Sequence, residues 1–424
     1  MAARPSYCIR TLGCKANLYD SRRIAEALEH LGFEEATASG RADIVLVNTC
    51  TVTAAADRKS RHAAYRAARR HPGARVFVTG CGASTVGREL HAAGAASGAY
   101  SRDQWDEPLH AVVGGPTAPT GIPRGDFGIA GFPGRARAFL KVQEGCDGAC
   151  SYCIVPATRG PSRSRPPDEA REEAARLVSA GFRELVVTGI HLGRYGWDLD
   201  GHTRLPDLVH CLAEVDGLER LRLSSVQPQE VDQLLLEAMR HPVVCPHLHL
   251  PLQSGDARVL LRMNRPYSPR QFLDVVALVR ERLDRPAITT DVIVGFPGES
   301  AAAFANTVDV VRHARFCRVH VFPFSPRPGT PAARMPGRVP ARQVGERARR
   351  LRAVAEALAQ QWATSFVGSR VRVLLERRQA GLLAGYTDRY VRACAPGQPD
   401  RIGDLVTVRV TAREGTSLTG RVDR

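Results

Sequence analysis

From Tyr7 to about Tyr100, short apolar runs alternate with helical stretches. Asp43-Ile-Val-Leu-Val-Asn48 and Arg75-Val-Phe-Val-Thr79 are compact, β-branched runs of the kind that form strands covered on both faces. Between them Ala54 to Arg70 is rich in alanine and arginine and predicts a helix. The pattern is that of a small α/β layer over residues 1–113, with a cysteine in the loop after each of its first three strands. Residues 114–135 are rich in Gly, Pro and Thr and read as a linker.

The alternation resumes over 136–364 with six apolar runs: Phe139-Leu-Lys-Val-Gln, Glu184-Leu-Val-Val-Thr, Arg220-Leu-Arg-Leu-Ser, His247-Leu-His-Leu-Pro, Thr290-Asp-Val-Ile-Val and Arg318-Val-His-Val-Phe. Helical stretches separate them, including Pro167–Ala180, Glu230–Met239, Pro269–Leu283 and Ala301–His313. Six strand–helix units predict a parallel sheet curled into a partial or full TIM-type barrel, whose chemistry belongs at the C-terminal strand ends. A basic helical stretch, Arg342 to Gln361, leads to a tail over 365–424. There Val371-Arg-Val-Leu-Leu and Leu405-Val-Thr-Val-Arg-Val, with turn residues between, predict a small antiparallel β barrel.

Composition narrows the function classes. Of 424 residues 44% are hydrophobic, enough for conventional cores, and the net charge of +16 suits a polyanionic partner such as RNA. Lysine stands only at 15, 59 and 141; the other basic residues are arginine. The N-terminus has no signal-peptide apolar core, and no run approaches the roughly 18 apolar residues of a membrane span. The expectation is a cytoplasmic protein without membrane contact, whose eleven cysteines serve as thiols, ligands or catalysts rather than disulfides.

Those cysteines carry the strongest signal. Cys146-Asp-Gly-Ala-Cys150-Ser-Tyr-Cys153 places three thiols on one glycine-bearing loop after the first barrel strand, able to wrap one soft-metal centre. Structural zinc would take a fourth protein ligand, with Cys211 or His191 as candidates. A four-iron cluster normally takes four cysteines, so three would leave one iron open to another ligand. A second triad is dispersed: Cys14 in Thr11-Leu-Gly-Cys-Lys-Ala-Asn17, Cys50 in Asn48-Thr-Cys-Thr-Val-Thr53, and Cys81 in Thr79-Gly-Cys-Gly82. Such cysteines are often inert and buried. Here all three follow strands of one parallel sheet, so they share an edge and can converge on a common metal site.

The 146–153 loop, with Tyr152 before its last cysteine, resembles the radical S-adenosylmethionine superfamily. Together with the N-terminal motifs and the β tail it resembles the methylthiotransferase family over nearly the whole chain. The resemblance implies a flavodoxin- or Rossmann-like first domain. It also implies two [4Fe–4S] clusters, one on Cys146, Cys150 and Cys153 and an auxiliary one on Cys14, Cys50 and Cys81. The first would bind S-adenosylmethionine at its free iron and cleave it to methionine and a 5′-deoxyadenosyl radical; the second would host or supply the sulfur that is methylated and inserted. Two molecules of S-adenosylmethionine would be consumed per methylthio group placed on C2 of an adenine. The tail, with Gly385-Tyr-Thr-Asp-Arg-Tyr-Val391, resembles the RNA-binding TRAM domain.

Other positions follow from the same comparison. Thr188-Gly-Ile-His-Leu-Gly-Arg-Tyr-Gly196, with Gly189, is either a cofactor-side loop or a tight turn that needs glycine. Ser224 could bond a ribose or methionine group or simply end its strand. Val292 and Ile293 resemble the strand against which adenine packs, and the bland reading is an ordinary core strand. Arg58, Lys59, Arg61, Tyr386 and Tyr390 are expected RNA contacts; further basic clusters lie at Arg159–Arg165 and Arg347–Arg350, and a solvated face is the default reading for any one of them.

Family members act on tRNA isopentenyladenosine, tRNA threonylcarbamoyladenosine or an aspartate of a ribosomal protein. Asn48-Thr-Cys-Thr-Val-Thr53, His247-Leu-His-Leu-Pro-Leu-Gln-Ser-Gly255 and His320-Val-Phe-Pro-Phe-Ser-Pro-Arg-Pro-Gly-Thr-Pro331 most resemble the threonylcarbamoyl branch. The implied substrate is position 37 in the tRNA anticodon loop, with a low-potential flavodoxin or ferredoxin as electron donor. A zinc-stabilised RNA-binding protein without catalysis is the alternative from another class.

Overall fold

The computed structural model describes residues 4–37, 40–101, 129–201 and 203–423. Residues 114–128 of the expected linker lie outside the described residues. In the first domain five parallel strands lie in the order Glu34–Glu35, Ser6–Thr11, Ile44–Thr49, Arg75–Gly80, Gly98–Ala99. The central strand Ile44–Thr49 is buried at every position, as its unbroken apolar run requires. Its alternating side chains pack on two helices. Val45 and Val47 meet Ala64 and Ala67 of helix Ala54–Arg70, while Ile44 and Leu46 meet Ile24 and Leu28 of helix Lys15–His30. Since all strands are parallel, the loops carrying Cys14, Cys50 and Cys81 emerge from one edge.

The second domain is a partial barrel. Strands Arg137–Lys141, Glu184–Thr188, Arg220–Leu223, His247–His249, Ala287–Val294 and Arg318–Pro323 stand side by side in chain order, all parallel. The bridges Leu221–Val244 and Ser225–His249 join its two three-stranded halves. No pairing among the described residues joins the first strand to the last, and the N-terminal domain spans that opening. On one side Asp20 pairs with Lys141, and the Tyr19 hydroxyl donates to Glu173 at 3.0 Å. On the other, Arg327 donates to Asp57 at 2.5 Å and to Thr51 at 2.9 Å, and the Ala54 N–H donates to Ser325 at 3.0 Å. Ile129 and Phe132, read in the sequence as the end of a linker, are buried; Phe132 packs edge-on to Phe139, with ring centroids 5.5 Å apart.

The tail is a closed five-stranded barrel in the order Arg370–Gln379, Leu382–Thr387, Arg392–Ala395, Ser417–Val422, Leu405–Glu414. It is antiparallel except for one parallel pair, Arg392–Ala395 with Ser417–Val422. The exception is geometric: an odd number of strands cannot alternate direction all the way round a closed ring. No helix among the described residues is long and apolar enough to cross a membrane.

The tail docks under the N-terminal ends of the large barrel's strands. Arg222 donates to the carbonyls of Asp388 and Thr387 at 2.9 and 3.1 Å, and Arg220 donates to the carbonyl of Tyr386 at 3.1 Å. Both arginines are held by Glu184, which is fully buried and 2.8 Å from Arg222, 3.4 Å from Arg220 and 3.7 Å from Arg137. Burial works to raise the Glu184 carboxyl, but Arg222, Arg137 and Arg220 overcome it and hold it down at about 2. Its contribution to stability is therefore complete above the usual carboxylate value and fades as pH falls from there toward 2. Glu184→Gln, which leaves buried Arg220 and Arg222 without a carboxylate while Arg137 keeps Glu376 at 2.6 Å, is expected to destabilise the protein by about 3–5 kcal/mol. Urea unfolding at neutral pH measures that loss, and the gap from wild type should narrow in acid.

Candidate active site and its two cysteine triads

Cys14 caps the helix Lys15–His30 with an extended backbone, so its thiol lies at the positive end of the helix dipole. The preceding Gly13 has φ +105°, and a Cβ there would lie 2.9 Å from Cys50 Cβ and 3.3 Å from Cys50 Sγ; glycine is what lets the first two loops touch. Asn17 staples these loops by donating to the carbonyls of Leu12 at 2.7 Å and Thr49 at 2.9 Å. The Cys81 N–H donates to the Thr49 carbonyl at 3.1 Å, which brings in the third loop. The three thiols lie within electrostatic reach of one another. Burial pushes Cys50 up to about 11 and also raises Cys81, so thiolates here require a metal or cation to offset desolvation.

In the compact loop each thiol has its own donor. Gly148 N–H and His191 Nδ1 lie 3.3 and 3.4 Å from Cys146 Sγ, Arg265 donates to Cys150 Sγ at 3.3 Å, and Val155 N–H donates to Cys153 Sγ at 3.4 Å. His191 is fixed by its N–H to Gln143 Oε1 and by its Nε2 to Glu230 Oε1, both at 2.7 Å. Burial disfavours the imidazolium, yet the hydrogen bonds to Cys146 and Glu230 raise His191 to about 9. Burial raises Cys153 to about 11; it also opposes ionisation of Cys146, where the His191 contact wins and lowers the thiol.

All eleven cysteines are unbridged. Among the described residues no three His, Cys, Asp or Glu side chains are gathered around a single metal ion. One zinc, with bonds of about 2.3 Å to sulfur, would draw its thiolates to within about 4 Å of each other. Of the candidate fourth ligands, His191 turns Nδ1 to Cys146 Sγ at 3.4 Å and Nε2 to Glu230, while Cys211 lies on helix Leu205–Ala213 among Arg171 and Asp168. Three soft donors on a loop lined with N–H groups fit a larger iron–sulfur centre with an open iron.

Arg159 lies between the dispersed triad and the start of the compact loop, bonded to Cys81 and Glu144. It lies at the end of the short helix Val155–Arg159 that follows Cys153, and is only 3% exposed. Its guanidinium donates to Cys81 Sγ at 3.0 Å, to Glu144 at 2.8 Å and to Asn17 Oδ1, and lies 3.7 Å from Asp20. The sequence reading of Arg159–Arg165 as a phosphate-binding cluster is thereby corrected for two of its three arginines: Arg159 is buried, and Arg165 is buried against Glu173 at 2.7 Å, while Arg163 is exposed. Glu144, in the same loop as the cysteines, was a local hint; Arg265, more than a hundred residues from Cys150, left none.

The other expected site residues divide. Tyr152 packs with Ile293 and Phe296 in one apolar wall beside the compact loop. Val292, on the opposite face of the same strand, is fully buried in the barrel's hydrophobic core; strand alternation removes it from the lumen, a correction to the sequence reading. Gly189 lies against Gln143, just after the barrel's first strand, where a Cβ would stand 2.9 Å from Gln143 Oε1, so close packing accounts for the glycine. Ser224 is buried on the same strand face as Arg222, and its Oγ has no protein partner among the described residues. Arg58 and Lys59 are exposed on helix Ala54–Arg70 beside a 760 Å3 groove that includes Arg10, Arg66 and Arg70, whereas Arg61 pairs with Glu89 at 2.8 Å. Tyr386 and Tyr390 stack on each other and on the barrel floor. Tyr390 lies over His247 at 4.6 Å between ring centroids, with Arg222 over Tyr390 and Arg137 over Tyr386.

Comparisons with known proteins agree with this architecture. Family models match in chain order: an uncharacterized protein family, UPF0004, over residues 6–98, the Radical SAM superfamily over 140–311, and the TRAM domain over 364–422. The threonylcarbamoyladenosine tRNA methylthiotransferase MtaB of Bacillus subtilis is 36% identical over 94% of this chain and 92% of its own length. The tRNA-2-methylthio-N(6)-dimethylallyladenosine synthase of Aquifex aeolicus is 33% identical over 98% of each. Among solved structures, the radical S-adenosylmethionine methyltransferase TsrM of Kitasatospora setae shares the fold, with a TM-score of 0.56 at 16% identity over 78% of this chain and 75% of that one. The Radical SAM match implies a [4Fe–4S] cluster and S-adenosylmethionine as cofactors. With relatives aligned nearly end to end, the chain belongs to the radical S-adenosylmethionine methylthiotransferase family.

Proposed function

We propose that this protein converts N6-threonylcarbamoyladenosine 37 of tRNA to its 2-methylthio derivative. The observation that carries the reading is the pair of cysteine triads, one compact and one assembled from three loops, with buried Arg159 bonded to Cys81 of the second and to Glu144 two residues before the first. In this reading Cys146, Cys150 and Cys153 hold a four-iron cluster that, with S-adenosylmethionine bound, supplies the 5′-deoxyadenosyl radical. Cys14, Cys50 and Cys81 hold a second cluster as the sulfur site. Gly148, Val155, His191 and Arg265 direct N–H groups at the first set of thiolates, and Arg159 directs its charge at the second. Tyr152 and Ile293 form an apolar wall that keeps water from a reactive radical.

The threonylcarbamoyl substrate is supported by three relatives of that name, each 36% identical over more than nine-tenths of its own length. The decisive experiment is mass spectrometry of tRNA nucleosides from a deletion strain: unthiolated threonylcarbamoyladenosine should accumulate, whereas accumulation of the dimethylallyl nucleoside would overturn the substrate. The electron donor in this reading is a flavodoxin or ferredoxin, and the compartment is the cytoplasm, where tRNA is.

Exposed Arg58 and Lys59, beside further arginines, support tRNA contact along helix Ala54–Arg70. Arg58→Glu with Lys59→Glu should weaken tRNA binding about tenfold at low salt and flatten the salt dependence by about two counterions. Fluorescence anisotropy across a salt series measures both, and cluster content should stay at the wild-type level.

A further inference from the structure

Below an apolar mouth, the barrel lumen is lined by a belt of polar side chains on five neighbouring strands. Tyr152, Ile293 and the exposed Phe322 form the mouth, with Ile293 and Phe322 paired in register. One step down, strand pairing sets Asp291 level with His320, His249 level with Thr289, and Ser225 level with His249. Thr188 and Ser224 continue the belt on the other wall, on the faces that carry Glu184 and Arg222. The alternate residues Leu248, Val292, Val319 and Val321 pack outward in the barrel's hydrophobic core, which turns the belt inward.

Within the belt His249 is engaged: its Nε2 lies 3.4 Å from Asp291 and its Nδ1 2.9 Å from Thr289 Oγ1. His320 stands beside it, with ring centroids 6.1 Å apart, and 6.5 Å from the Phe322 ring. Among the described residues His320 makes no hydrogen bond or ion pair. Burial holds it below the usual imidazole range, so near neutral pH it is uncharged, with one N–H and one bare nitrogen to offer. Thr188 Oγ1 and Ser224 Oγ are buried and have no partner among the described residues either. Unused polar atoms on both walls are matched by a ligand that brings its own donors and acceptors.

We propose that His320 is a specificity-determining residue that hydrogen-bonds the threonylcarbamoyl group of the substrate adenosine, with His249 and Asp291 completing that subsite. The inference rests on the function proposed above. C2 and C6 of adenine flank one ring nitrogen, so a base whose C2 meets the radical at the mouth holds its N6 group beside that mouth. The belt is one strand step below, about 7 Å. A threonylcarbamoyl group carries a urea, a hydroxyl and a carboxylate to pair with it. A dimethylallyl group would cover the same atoms and replace none of their bonds to water, so the belt selects between the two adenosine classes named for the relatives.

The test offers reconstituted enzyme three anticodon stem-loop RNAs, with threonylcarbamoyladenosine, dimethylallyladenosine or unmodified adenosine at the target position. Affinity is read by anisotropy and product by mass spectrometry, for wild type, His320→Phe and His320→Gln. Wild type should bind the threonylcarbamoyl RNA about tenfold more tightly than the dimethylallyl RNA. His320→Phe keeps a ring without its hydrogen bonds and should bring that ratio to about one, with affinity for the unmodified RNA unchanged. His320→Gln, which keeps a donor and an acceptor, should lower the ratio only part-way. Equal affinity of wild type for the two modified RNAs, or an unchanged ratio in His320→Phe, overturns the proposal. So does an equal loss of affinity for all three RNAs, the mark of a merely structural residue. Should His320→Phe fail to fold, His320→Gln decides: a lowered ratio supports His320 and an unchanged one rejects it. Failure of the underlying function is read separately, in the product, because wild type would then methylthiolate the dimethylallyl RNA or neither.

Discussion

Cys50→Ala is expected to leave an enzyme that still cleaves S-adenosylmethionine reductively but transfers no methylthio group, whereas Cys150→Ala abolishes both. The separation follows from geometry: Cys50 sits with Cys14 and Cys81 at the edge of the first domain's sheet, and Cys150 with Cys146 and Cys153 on the barrel loop. In the proposed reading either substitution removes one ligand from one nest and leaves the other intact. Iron should fall from about eight to about four per chain in each variant. 5′-Deoxyadenosine and methylthiolated nucleoside, quantified side by side, report the two activities. Methylthio transfer by Cys50→Ala at the wild-type rate would mean that the dispersed triad is structural and that sulfur enters by another route.

Arg159→Met should act on both stability and redox behaviour. The guanidinium is buried among Cys81, Glu144, Asn17 and Asp20, so methionine leaves Lys141 as the one cation shared by two carboxylates at the junction between the first domain and the barrel. With Lys141 still on both carboxylates, losing these charged hydrogen bonds costs about 1.5–3 kcal/mol, read as a lower urea midpoint of the anaerobically prepared protein. If the neighbouring triad holds a cluster, loss of a cation beside it makes the added electron harder to accommodate, and EPR-monitored titration should find a more negative potential. Arg159→Lys keeps the charge but not the fork that reaches several partners at once, and should fall between methionine and wild type. A variant with unaltered stability and potential would reduce Arg159 to a bystander.

Much of this was legible in the chain. Residues 43–48 and 75–79 announced buried parallel strands by their unbroken β-branched runs. The six apolar runs from 139 to 322 announced the barrel wall, because strand and helix periods are written locally. The 146–153 loop was legible because its thiols lie close in sequence. Val292 shows the limit: it was read as a cofactor contact beside Ile293, but a two-residue period places neighbours on opposite faces. The basic cluster 159–165 shows another, since charge in a sequence says nothing about which side of a loop it faces; Arg159 and Arg165 turned inward to Glu144 and Glu173.

What the sequence alone determined is thus the set of elements, their order and the compact cysteine loop, all governed by interactions between residues near in the chain. Tertiary structure decided the rest. It brought Cys14, Cys50 and Cys81 to one sheet edge, and it seated the first domain across the barrel's open side so that Arg159 reaches Cys81. It also turned Tyr386 and Tyr390 onto the barrel floor. These pairings join residues tens to hundreds of positions apart, and they depend on how preformed faces fit together, which no local pattern records.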